Sequence, residues 1–68
     1  MTRNLNVPKM KADAARAILH TIEARRWYDL DVVALGIHHD DLKAIQRNRI
    51  DNLSLERLHE ILGRLTPE

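Results

Sequence analysis

His38-His39-Asp40-Asp41 sets four side chains of metal-ligand type in a row, and Lys43, Arg47 and Arg49 follow closely behind. Two chemistries use these residue types. Metal coordination needs side chains that converge on one point. Consecutive helix positions point about 100° apart, so these four cannot close on one ion, and no metal site is expected. The other chemistry is nucleic-acid recognition. Lysine donates to guanine O6 or N7, a carboxylate accepts from cytosine N4, and histidine donates to an acceptor on a base edge. Arginines contribute salt-dependent contacts to phosphate.

The elements that position these residues must come from a short chain. Its 68 residues make one small domain. A chain this size buries only roughly 60% of its unfolded surface, so its stability margin is thin. It has no cysteine, hence no disulfide and no thiolate zinc site to staple it. Eleven basic and ten acidic residues leave a net charge of +1, so nucleic-acid binding must rest on how charge is distributed. Gly36 and Gly63 are the only glycines, and neither belongs to a phosphate-binding loop. With no cysteine nucleophile or serine elbow, the chain is expected to be non-enzymatic and to need no cofactor. No apolar run approaches the ~20 residues of a membrane span, and no apolar stretch follows the basic start. A cytoplasmic protein away from membranes is the expectation.

Residues 1–11 read as a flexible basic arm carrying Arg3, Lys9 and Lys11, with Pro8 against regular structure. Residues 12–68 read as the folded domain. Ala15, Ile18, Leu19 and Ile22 predict a buried stripe on a helix over 12–26. Trp27 is either a plug at the helix end or an exposed interface anchor. Asp29 reads as the N-cap of a short helix over 30–35, with Leu30, Val33 and Ala34 inward. Gly36 ends it in the left-handed conformation, and Ile37 should be buried. A third helix runs from about His38 to Arg47, with Leu42 and Ile45 in the core and Lys43 and Ala44 outward. Asn48 ends that helix, and Ile50 anchors the polar turn after it. Ser54 caps a fourth helix, with Leu53 stapled onto Leu58. Its stripe is Leu55, Leu58, Ile61, Leu62 and Leu65, with fraying expected around Gly63.

Leu35-Gly36-Ile37 at the turn, Leu42 and Ile45 in the next helix, Arg47-Asn48-Arg49 after it and the closing Leu53-Ser54-Leu55-Glu56-Arg57-Leu58 resemble the Cro/repressor (Xre-type) helix-turn-helix family. The likeness is to its small prophage-regulator and antitoxin subgroup and covers roughly residues 14–65. It implies an all-α, compact four- to five-helix bundle of lambda-repressor-like type. It also implies a homodimeric repressor on a palindromic DNA operator. On this resemblance His39, Asp40, Lys43 and Ala44 fall at base-reading positions, and Tyr28, His38, Arg47 and Arg49 at phosphate-gripping ones. The arm bases Arg3, Lys9 and Lys11 are further DNA candidates. Leu55, Leu62 and Leu65 offer a dimer interface, having more apolar surface than a small monomer can hide.

Asp29, Asp31, Asp40 and Asp41 also fall near this face, where an unpaired carboxylate would be repelled by DNA. Asp29 as a cap and Asp41 in a first helical turn have structural tasks that would mute their charge. Asp40 and Asp41 equally suit a basic protein partner. The rival reading is therefore a protein-binding module on the same scaffold, such as a phage-encoded inhibitor of a host protein. Further partners under these readings are a cognate toxin or a host protein.

Overall fold

Helix formation begins before the alanine-rich stretch. The computed structural model describes residues 6–66, and α1 spans Val7–Ala24. Asn6 caps it, its side-chain oxygen accepting the Lys9 N–H at 3.1 Å. Pro8 sits in the first turn, where its missing N–H has no helical partner to lose. The expectation of an arm through residue 11 is thus corrected for Val7–Lys11; residues 1–5, with Arg3, lie outside the described residues.

The remaining elements are α2 (Asp29–Ala34), α3 (His39–Gln46), a short 3-10 turn (Ile50–Asn52) and α4 (Leu55–Leu65). The fold is all-α, with no strand among the described residues. Among the described residues, no helix is long and apolar enough to cross a membrane.

Backbone caps set the boundaries. α1 stops at Arg26, which takes φ +56°, and the Arg26 and Trp27 N–H groups return to the carbonyls of Glu23 and Ile22. α3 ends the same way: Asn48 has φ +59°, and Asn48 and Arg49 donate to Ile45 and Ala44. Both are Schellman closures that satisfy carbonyls left open at a helix end. Ser54 accepts the Arg57 N–H at 3.0 Å and so starts α4 as its side chain predicts.

The core gathers Ala14, Ala15 and Ile18 of α1 with Leu58, Ile61 and Leu65 of α4. Val32, Ile37, Leu42, Ile45, Ile50 and Leu53 complete it, and α1 packs chiefly along α4. Trp27 is half-buried against the edge of this core, with the Arg25 guanidinium 5.2 Å from its ring centre.

Two expectations about faces are corrected. In α2 only Val32 is buried, while Leu30 is 83% exposed and Val33 and Ala34 are also exposed. The helix starts at Asp29 and has six residues, too few turns for apolar spacing to fix its phase. In α4 the helix continues through Gly63 to Leu65, which is fully buried. Leu65 therefore belongs to the monomer's own core and offers no surface to a second subunit.

Candidate nucleic-acid interface

The turn between α2 and α3 sets the site. Gly36 takes φ +94° and donates its N–H to the Val33 carbonyl at 2.9 Å. The next residue, Ile37, is buried and fastens the turn to the core. His38 then caps α3, its Nδ1 accepting the Asp40 N–H at 3.2 Å.

Leu42 and Ile45 are each 1% exposed and turn α3 inward. Helical periodicity then sends His39, Asp40 and Lys43 outward, and all three are exposed. Asp40, Lys43, Ala44, Arg47 and Arg49 line one shallow surface depression, with Asp41, Asn52 and Leu53 completing its wall. Five of the sequence-derived base and phosphate candidates thus share one surface. Ala44 is half-buried and packs against the core, a correction to its expected outward position, whereas Arg47 and Arg49 are exposed.

The other candidates spread around this surface. Tyr28 precedes α2 and is 80% exposed. His38 lines a separate cleft against α4, with Gly36, Asp41, Arg57, Glu60 and Arg64. Lys9 is exposed in the first turn of α1. Lys11 is no free arm residue: its ammonium lies 3.4 Å from the Asp51 carbonyl, on the turn that follows α3. Leu55 and Leu62 are half-buried on α4.

The acids are handled differently from one another. Asp29 is the first residue of α2, not its cap, and accepts from the Gln46 side-chain amide at 3.1 Å. The cap contact comes from Asp31, which reaches back to the Tyr28 N–H at 2.8 Å. Asp41 accepts from Arg57 Nε at 2.9 Å, and Arg57 Nη2 pairs with the same oxygen at 2.8 Å. Its charge is thus met by a guanidinium rather than by helix N–H groups. The Asp40 carboxylate is 86% exposed, and its closest basic nitrogen is the His38 imidazole at 3.8 Å.

Asn52 and Arg57 were missed by the sequence reading. Asn52 stands in a polar turn that gives no hint of sharing a wall with Lys43. Arg57 lies 16 residues from Asp41, and no local pattern announces their pairing. Among the described residues, no group of three or more His, Cys, Asp or Glu side chains is arranged to hold a metal ion.

A family model described as a helix-turn-helix domain matches residues 2–67. No curated protein and no solved structure matches the chain significantly.

Proposed function

The chain belongs to the helix-turn-helix domain family, and from that premise we propose that it is a sequence-specific DNA-binding transcriptional regulator. The observation that carries this reading is the shared depression on α3, where Asp40 and Lys43 lie beside Arg47 and Arg49. In this reading α3 enters the major groove. Lys43 donates to guanine O6 or N7, Asp40 accepts from cytosine N4, His39 donates to a base acceptor, and Ala44 meets a thymine methyl. Arg47, Arg49, Tyr28 and His38 grip phosphates and supply salt-dependent affinity. Asn52, on the same wall, is placed to add a further phosphate contact.

The regulator acts as a repressor. A homodimer occupies a palindromic operator and blocks polymerase, with half-sites about one helical turn apart. Leu55 and Leu62, half-buried on α4, supply apolar area for the subunit contact. Its biological setting is phage gene control or autoregulation as an antitoxin.

The test is a titration against a short duplex from immediately upstream of the chain's own gene, beside a scrambled duplex, at two salt concentrations. Tight, salt-sensitive binding that prefers the upstream duplex is the expected result. A duplex selected from a randomised pool extends the test to a distant operator. Failure to select any sequence would overturn the reading.

A further inference from the structure

Asp41 stands on a boundary. It lines the depression that holds Lys43, Arg47 and Arg49, and it also lines the cleft between the turn and α4. Arg57, in the first turn of α4, draws it to the α4 side through the Nε hydrogen bond and the Nη2 ion pair on one carboxylate oxygen. The Asp41 side chain is only 16% exposed, whereas that of Asp40, its neighbour in sequence, is 86% exposed. A carboxylate facing phosphates without a donor repels them. A guanidinium at this distance offsets that charge and holds the side chain to one geometry.

We propose that Arg57 is a positioning residue for DNA binding: it neutralises Asp41 and ties the start of α3 to α4, so that the recognition surface presents Asp40 and its cations while Asp41 is withdrawn. This rests on the DNA-binding reading above. Arg57 itself contacts no DNA in this scheme. Its effect runs through Asp41, so its removal is harmful only while Asp41 carries a charge.

The experiment uses Arg57→Gln, Asp41→Asn and the double variant, titrated against the tightest duplex selected from a randomised pool at three salt concentrations. Thermal unfolding of each protein is recorded alongside. Arg57→Gln is expected to weaken binding roughly tenfold, a coupling typical of residues in direct contact. Its salt slope should stay at the parent value. The double variant should bind within about twofold of the Asp41→Asn protein; a loss present in Arg57→Gln and absent from the double variant is what a merely stabilising ion pair would not give.

If Arg57→Gln does not fold, Arg57→Met takes its place in the same comparison. A roughly tenfold loss in that variant that Asp41→Asn removes supports the proposal, and weaker binding by the double variant than by Asp41→Asn overturns it. Parent-like binding by Arg57→Gln overturns it as well. So does a salt slope lower by about one, which would make Arg57 a phosphate contact in its own right. A parent protein that selects no duplex overturns the DNA-binding reading and this proposal together.

Discussion

The Arg64 guanidinium lies 3.4 Å from the Leu35 carbonyl, so the last turn of α4 touches the backbone of the turn between α2 and α3. A Cβ added at Gly36 would meet the same guanidinium at 2.8 Å. The two costs of a side chain at Gly36 differ in kind. The contact involves the far end of a flexible side chain, which can swing away. The φ of +94° cannot be relieved without opening the turn. Gly36→Ala should therefore destabilise the fold by about 1–3 kcal/mol, through backbone strain. Adding Arg64→Ala should recover less than about 0.5 kcal/mol of it. Urea unfolding of the two single variants and the double checks both numbers.

Arg26 holds the same kind of backbone at the end of α1 without being glycine, at φ +56°. Left-handed backbone costs an ordinary L-residue roughly 1–2 kcal/mol. Glycine removes that cost but gives back about 0.5–1 kcal/mol in unfolded-state entropy. Arg26→Gly should thus stabilise by about 0.5–1 kcal/mol, seen as a higher urea midpoint at unchanged slope.

Gly63 is the opposite case. It lies inside α4, and a Cβ there would meet nothing within 4 Å. Alanine is favoured over glycine in a helix by about 0.8–1.0 kcal/mol. Gly63→Ala should raise the melting temperature by about 4–8 °C, the response expected of a domain this size to 1 kcal/mol. No rise would mean that the last turn of α4 is frayed in solution.

Features decided by a single residue's backbone chemistry were legible in the sequence. Gly36, Asn48 and Ser54 each stop or start a helix where their own conformational preferences place them. So were the inward positions Leu42 and Ile45, because α3 has two turns to display its period. What failed was reading Pro8 as a breaker when Asn6 had already capped a helix around it. Leu30 was misplaced because one buried residue, Val32, sets the phase of a six-residue helix by tertiary packing. Leu65 was offered to a dimer interface as apolar surface a small monomer could not hide, but packing of α4 along α1 takes it fully into the monomer's core. In the site, the outward set on α3 followed from periodicity, and Arg47 and Arg49 share its surface. The partners that disarm the acids did not follow. Gln46 meets Asp29 across 17 residues and Arg57 meets Asp41 across 16, and such pairs exist only once the helices have packed.

Lys43 and Arg49 line the same depression and should nonetheless fail in different ways. Lys43 projects from the middle of α3, where a helix in the major groove meets base edges. Under the proposed reading its ammonium supplies donors to guanine, and losing them should cost about 1–3 kcal/mol at one base pair while leaving other positions unchanged. Arg49 completes the Schellman closure with its own N–H, outside the helix and beside the turn. Under the proposed reading it meets the phosphate backbone there, which carries no sequence information. Arg49→Ala should weaken binding to every duplex alike and lower the salt slope by about one. Titrations of both variants against the selected duplex and its single-base-pair substitutions, at three salt concentrations, separate the two behaviours. Loss of base preference in Arg49→Ala with a uniform loss in Lys43→Ala would reverse the assignment and place the groove-reading end of the surface beyond α3.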